Sequence, residues 1–375
     1  MSRPASRVNV GSFGFVDGAY FEVRGEIQET YLVQFTDTDT GELIHQGEIE
    51  TNQWIRTARK YFTRWRIGVS RAKDGVLLFT HTYDCRNRRV YIAFESRSLG
   101  DTLAWFPALE EFRRQHGCIL ICSTFWNGLF RQEYPAIEFV EPGVTVHGLY
   151  AMYRLGWFYL DRGEIDYDRN VQNFREQPLA ESAFDILGLA YQEAKPRIRC
   201  IESRRPMEDE YVCIAVHATA QAKYWNHETG WDEVVRFLGS RGYRTILLSH
   251  EGLEYMGNRA PSEAIWVPSG PIETVIQYLK HARLFIGVGS GLSWLAWAVG
   301  CRTCIISGFS LPYTEMQDCI RVFPQGPVCS GCFNRYRLDA ADWNWCPERR
   351  DTPGMFECTR SITGRQVVEA IERYL

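Results

Sequence analysis

Cys329 and Cys332 form a C-x-x-C pair, and Cys346 and Cys358 follow it separately. Four thiolates so spaced make a closed site for a soft metal. The pair closes on one tight turn, Cys329-Ser330-Gly331-Cys332, and the other two arrive from a longer loop. The run from Phe333 through Trp345 to Pro353 carries aromatics and charges without helical or strand periodicity, so a metal is what would order it. Spacing alone favours zinc by base rate. The competing reading is a set of buried free thiols or disulfides.

Three loops carry the other candidate chemistry. Ser98-Leu99-Gly100-Asp101-Thr102 opens a helix with a carboxylate beside a glycine, so Asp101 is either an N-cap or a general base that a ligand can approach closely. The loop from His217 to Trp225 carries Thr219 and one lysine, Lys223, whose mobile charge suits a diphosphate; an isolated lysine is more often merely solvated. Val288-Gly289-Ser290-Gly291-Leu292-Ser293-Trp294 reads as a strand-to-helix turn whose amides can face an anion. Tight packing explains such a turn equally well, for it lacks the full G-x-G-x-x-G fingerprint and a P-loop lysine. Together the three loops describe a nucleotide-sugar site.

Elements must hold these loops in place. A chain of 375 residues suggests two domains plus an extension. After a linker at Lys195 to Pro206, strands and helices alternate. The expected strands are Tyr211 to Val216, Arg244 to Ser249, Ala264 to Val267, Leu284 to Val288 and Thr303 to Ile306. The expected helices are Gly230 to Arg241, Ile272 to Ala282 and Leu292 to Val299, with a final helix Gly364 to Leu375. That is a doubly wound parallel sheet. Before the linker, strand Val90 to Phe94, helix Thr102 to His116 and strand Cys118 to Ser123 form a first α/β unit, closed by a helix near Leu179 to Ala194. The front reads as β-rich, with a hairpin at Asp37 to Gly41 and a short helix at Trp54 to Trp65. The division is therefore 1–88 as a β-rich module, 89–200 as an acceptor-side Rossmann-like domain and 201–375 as a donor domain that includes the cysteine loop at 329–358.

Composition narrows the partners. A net charge of −4 with both signs interspersed gives no footprint for nucleic acid or an anionic membrane. Twelve cysteines behind a polar start, MSRPASRVNV, point to reduced thiols in a cytoplasmic setting. The uncharged stretch Leu284 to Cys301 is punctuated by four glycines, which favours a buried strand and helix over a membrane span. Asp37-Thr38-Asp39 and Asp166-Tyr167-Asp168 match the manganese-binding Asp-x-Asp pattern but sit in turn contexts where aspartate belongs for backbone reasons.

The runs GDTLAWFP at 100–107, HATAQAKYW at 217–225 and GVGSGLSWLAWAVG at 287–300 resemble the lipopolysaccharide heptosyltransferase superfamily. With the β-rich front and the four cysteines added, nearly the whole chain is similar to the bacterial autotransporter heptosyltransferases, which modify protein adhesins. The resemblance implies a GT-B fold: two doubly wound Rossmann-like domains facing a cleft, with an N-terminal β-rich module and a C-terminal metal loop. It implies transfer of heptose from ADP-D-glycero-beta-D-manno-heptose to serine hydroxyls of an autotransporter adhesin, with inversion. Asp101 would be the base, flanked by Gly100 and Thr102. Lys223 and Thr219 would contact the donor phosphates, and Gly289, Ser290, Gly291, Leu292 and Ser293 would form the diphosphate loop. Cys329, Cys332, Cys346 and Cys358 would hold one structural iron, and the chain would assemble as a dodecamer. Lipopolysaccharide enzymes usually carry aspartate where this chain has Ser290. The alternatives are a lipopolysaccharide-type enzyme with a sugar acceptor, and a non-enzymatic binding module built on the metal loop.

Overall fold

The protein is described by a computed structural model for residues 9–200, 204–268, 270–339 and 341–375. In the second half, strands Tyr211–Ala215, Arg244–Leu248, Ile265–Val267, Phe285–Val288, Thr303–Ile306 and Ile320–Val322 pair only in parallel. Numbered along the chain, they lie side by side as third, second, first, fourth, fifth and sixth. Strands buried on both faces must be apolar throughout, and Val212, Cys213, Ile214, Phe285, Ile286 and Val288 are completely shielded. The order reverses between the first strand and the fourth. At such a switch point the loops leaving the carboxyl ends diverge and open a crevice. The two loops that leave there begin at Val216 and Gly289.

Helix Gly230–Ser240 covers one face of this sheet with Val234, Val235 and Leu238. The C-terminal helix, Gly364–Ile371, packs beside it through Val367 and Ile371, its start fixed by a capping box between Thr363 and Gln366. The uncharged stretch resolves as strand Phe285–Val288 and helix Gly291–Ala298, and no helix among the described residues is long and apolar enough to cross a membrane.

The first half is built on a seven-stranded sheet with the spatial order Glu138–Phe139, Ile119–Ser123, Arg89–Phe94, Ala151–Leu155, Val10–Val16, Tyr20–Arg24 and Trp54–Arg56. The first five run parallel, and the last two are added antiparallel. Here too there is a switch, between Arg89–Phe94 and Ala151–Leu155. The long helix Leu99–His116 leaves the first of these strands, and Trp157 follows the second.

The expected β-rich front is divided between two sheets. Phe15 pairs with Ala151 in the parallel sheet, so Val10–Val16, Tyr20–Arg24 and Trp54–Arg56 extend the first α/β unit. Thr30–Asp37, Leu43–Glu50, Trp65–Arg71 and Leu77–Thr82 form a separate antiparallel sheet, whose Val33, Phe35 and Ile67 share the core that also holds Phe15 and Phe112. A boundary at residue 88 therefore runs through one sheet. The expected helix at Trp54 to Trp65 is instead a short strand, Trp54–Arg56, and an irregular segment, because Trp54, Ile55 and Arg56 complete the sheet edge beside Tyr20–Glu22. The helix expected from Leu179 to Ala194 is confined to Glu181–Ile186, ended by left-handed Gly188. The linker carries no helix or strand at 195–200 and 204–206, and its positions 201–203 lie outside the described residues.

The two halves meet where their site-bearing helices begin. A Cβ on Gly291 would stand 3.1 Å from Leu99 Cβ and 3.3 Å from the Gly100 amide nitrogen; one on Gly100 would stand 3.1 Å from Trp294 Cδ1. Neither position has room for a larger side chain. Gly291→Val is expected to destabilise by about 1–3 kcal/mol through overpacking and to lower the melting temperature. An unchanged melting temperature would show that the contact does not seat the halves.

Candidate functional site

The two switch points face each other across one cavity of about 920 Å³. From the first half it is lined by Ser98, Leu99, Gly100, Asp101, Trp126, Trp157 and Tyr159. The second half contributes His217, Thr219, Lys223 and Gly289–Leu292. A cavity of this size, mainly apolar with a few convergent polar groups, suits a small organic ligand.

Asp101 lies in the first turn of the long helix but does not cap it. Ser98 does: its Oγ accepts the Asp101 amide at 3.3 Å. The Asp101 carboxylate is thereby left for other partners and is only 9 % exposed. Its Oδ2 accepts the Ser96 hydroxyl at 2.6 Å and the Trp157 indole N–H at 2.9 Å, and the Ser98 hydroxyl also acts on the carboxyl. Burial pushes the carboxyl above the ordinary aspartate range, against the opposing pull of Ser96, Trp157 and the Lys223 charge.

Lys223 answers from the opposite wall. Its ammonium lies 3.5 Å from Thr219 Oγ1 and over the Phe309 ring at 5.4 Å from the centroid. Burial lowers its pKa, and the charges of Asp101 and Glu315 oppose that shift. The two residues feel each other's charge without a direct ion pair among the described residues, so the space between them is open to a ligand. On the same wall, burial lowers the pKa of His217, whose Nε2 lies 3.2 Å from the Gly252 carbonyl and Nδ1 3.1 Å from Asn258 Nδ2.

Helix Gly291–Ala298 starts at the cavity wall, and a helix leaves its first-turn amides without intrahelical partners. Ser290, the residue before it, has a buried Oγ with no hydrogen-bond partner among the described residues. Gly100, Asp101, Thr219, Lys223, Gly289, Ser290, Gly291 and Leu292 all reach the cavity. Thr102 and Ser293 do not: the Thr102 hydroxyl donates to the Ser98 carbonyl at 2.9 Å, and Ser293 Oγ donates to the Val288 carbonyl at 2.6 Å. Both side chains serve the start of their own helix.

Sequence reasoning missed the groups that hold these residues. Trp157 follows a strand, Ala151–Leu155, that the sequence pattern did not disclose. Glu315 lies beyond the carboxyl end of Thr303–Ile306, a position that could have flagged it. It is buried, paired through Oε2 with Arg321 at 2.6 Å and bonded through Oε1 to the Ser310 hydroxyl, and it reaches the cavity. Asp37 and Asp166 each accept the amide two residues on at 3.0 Å, which makes both Asp-x-Asp segments turn structure.

The four C-terminal cysteines lie near one another. Cys358 feels Cys332, Cys329 and Cys346, and Cys332 feels the latter two. Burial pushes Cys332 up to about 11 and Cys358 up to about 12, so a metal bound there would have to displace their protons. Among the described residues, no set of three or more His, Cys, Asp or Glu is arranged to hold a metal ion. The donors fit a soft metal in kind and are gathered, but they do not close a coordination sphere. Gly308, against whose Cα the Cys358 backbone packs, and the Gly331 amide, which donates to the Gly308 carbonyl at 2.9 Å, join this segment to the cavity wall.

Comparison with known proteins gives this geometry a context. Residues 155–312 match Glycosyltransferase family 9 (heptosyltransferase). The autotransporter heptosyltransferase BAHTCr of Citrobacter rodentium is 39 % identical over 350 residues, covering 91 % of this chain and 84 % of its own. The crystal structure of TibC from enterotoxigenic E. coli H10407, an iron-containing dodecameric glycosyltransferase, superposes with a TM-score of 0.90 at 34 % identity, covering 100 % of this chain and 99 % of TibC. A second TibC structure, in complex with ADP-D-beta-D-heptose, gives a TM-score of 0.88 at 33 % identity over the same shares of the two chains. BimC of Burkholderia thailandensis, an inactive autotransporter heptosyltransferase, is 34 % identical over 91 % of this chain and 81 % of its own. The two facing α/β halves have the GT-B glycosyltransferase architecture, and the chain belongs to the autotransporter heptosyltransferase family of glycosyltransferases.

Proposed function

We propose that this protein transfers heptose from ADP-heptose to serine hydroxyls of an autotransporter adhesin, by a single displacement that inverts the anomeric carbon. The observation that carries the reading is that Asp101 and Lys223 line one cavity from opposite walls, coupled by charge but not paired. A buried carboxylate held by Ser96 and Trp157 at the cavity wall suits proton removal from an acceptor hydroxyl. A lysine whose ammonium meets a hydroxyl and a ring, in the cavity where helix Gly291–Ala298 starts, suits the diphosphate that departs. Gly289, Ser290, Gly291 and Leu292 would line that diphosphate, with Thr219 beside Lys223. One carboxylate serves as base, where a double displacement would call for a second as nucleophile. Of the other carboxylates at the cavity, Glu315 is already tied to Arg321 and Ser310, and Glu251 accepts the Ser249 hydroxyl at 3.3 Å.

The same reading assigns residues 201–375 to the donor and 89–200 to the acceptor side, and takes assembly into a dodecamer from the E. coli relative. Cys329, Cys332, Cys346 and Cys358 would hold one iron, with zinc the alternative. Such a metal supplies folding energy to its segment and takes no part in the transfer.

Replacing Asp101 by Asn keeps an oxygen for Ser96 and Trp157. Transfer is expected to fall by about two to four orders of magnitude while ADP binding is retained. Stability should move the other way. A carboxyl raised by burial binds its proton more tightly folded than unfolded, so its contribution worsens as pH rises through that range. Asp101→Asn should therefore melt no lower than the parent at neutral pH, and the parent's acid activity limb should lie above the ordinary aspartate range. Near-normal turnover, measured by mass spectrometry of an adhesin passenger incubated with ADP-heptose, would refute the assignment. For the cysteines, Cys332→Ser is expected to lose bound metal and melting temperature together. Metal analysis that finds the parent's metal content, with the melting point unmoved, removes the structural role.

A further inference from the structure

We infer that Phe309 is a positioning residue for Lys223, an aromatic seat clamped by the cysteine-bearing segment that holds the ammonium where the donor diphosphate binds. The inference rests on the donor-site reading above. Lysine carries its charge on a flexible four-carbon stem, and two carboxylates, Asp101 and Glu315, both attract it. Collapse onto either would remove the cation from the diphosphate position. What holds it is weak and specific: Thr219 Oγ1 at 3.5 Å, and the face of Phe309 with its ring centroid 5.4 Å from Nζ.

The seat itself is fixed from behind. The Phe309 ring packs against Trp345 at 5.9 Å and Phe333 at 5.5 Å, both from the cysteine-bearing segment. Its carbonyl accepts the Phe333 amide at 3.1 Å, and Phe309 is only 6 % exposed. The same segment also holds the lysine's own loop. The Trp343 carbonyl accepts the Gln221 amide at 3.3 Å, Thr359 Oγ1 accepts Asn226 Nδ2 at 2.8 Å, and the Trp343 ring meets Tyr224 edge-on at 5.5 Å. One segment therefore sets both the lysine's root and the surface under its head.

The test is a double-mutant cycle on ADP affinity by titration calorimetry, with metal content and melting temperature measured for each variant. Phe309→Leu keeps an apolar side chain but removes the ring quadrupole, and should weaken ADP about two- to thirtyfold. Phe309→Tyr should restore affinity to within about twofold, and Phe309→Met replaces Leu should that variant fail to fold. In a Lys223→Ala background Phe309→Leu should cost nothing further, which a merely structural role would not produce. An equal loss in that background, or no loss in the parent, overturns the seat alone. Unchanged ADP affinity in Lys223→Ala overturns the donor-site reading, and the seat with it.

Discussion

The approach of two glycines, Gly100 and Gly291, sets the distance between the halves and hence the span of the cavity. Each lies at the start of a helix that leaves a strand beside a topological switch, so the backbones touch where both sheets present their ligand-binding edges. Asp101 is the next residue after one glycine, and helix Gly291–Ala298 begins at the other. A Cβ at either position would push the walls apart by a few tenths of an ångström or more, and site geometry degrades steeply with such displacements. The glycines serve ligand geometry through helix packing, a different use from the left-handed turns that glycine makes elsewhere in the chain, as at Gly117 and Gly188.

Given that span, the electrostatics of the cavity follow from a trade between burial and pairing. Burial raises the Asp101 carboxyl and lowers the Lys223 ammonium, each toward neutrality, and the charge of each pulls the other back. Direct contact would settle both in their charged forms at the expense of the space between them. Instead, Ser96 and Trp157 hold the carboxylate from the first half, while Thr219 and Phe309 hold the ammonium from the second. Glu315 is kept from competing by Arg321, at 13 % side-chain exposure a well-shielded partner. The arrangement keeps two opposite charges facing one cavity and unneutralised by each other.

Much of this was legible in the sequence where pattern and position coincide. In the second half, apolar runs bounded by turn residues gave the strands from Tyr211 to Ile306 to within a residue or two, and the loops after them contained Thr219, Lys223 and Gly289 to Leu292. The first half was harder. Ala151–Leu155, the strand beside the switch, reads Ala-Met-Tyr-Arg-Leu, with an arginine in a run too short to show a period, and its place in the sheet comes from pairing with residues 61 positions away. Trp157 was invisible for that reason. Val10–Val16 pairs antiparallel with the next strand, and nothing local announces its parallel pairing on the other edge. Thr102 and Ser293 fell within the right motifs, yet their hydroxyls turn to carbonyls of the preceding turn. Residue type and position cannot distinguish a hydroxyl that serves its own backbone from one that serves a ligand.

The cysteine-bearing segment shows how a feature conspicuous in sequence can have an inconspicuous neighbour as its point of action. Its four sulfurs suggest an isolated metal module, but its backbone and rings are joined to Phe309 of the cavity wall and to Gly308, Gln221, Tyr224 and Asn226 in the loops that carry that wall. Asn334 extends the connection to the first half: its Oδ1 accepts the Leu311 amide at 2.8 Å and its Nδ2 donates to the Arg175 carbonyl at 2.8 Å. A segment without regular periodicity could not sustain such contacts by its own secondary structure, since its helices, Cys332–Arg335 and Glu357–Arg360, are single turns. Its order must come from what crosses it, which is the apolar cluster of Phe309, Trp345 and Phe356 together with the cysteines. Anything that tightens that cluster therefore acts on both halves and on the ammonium between them.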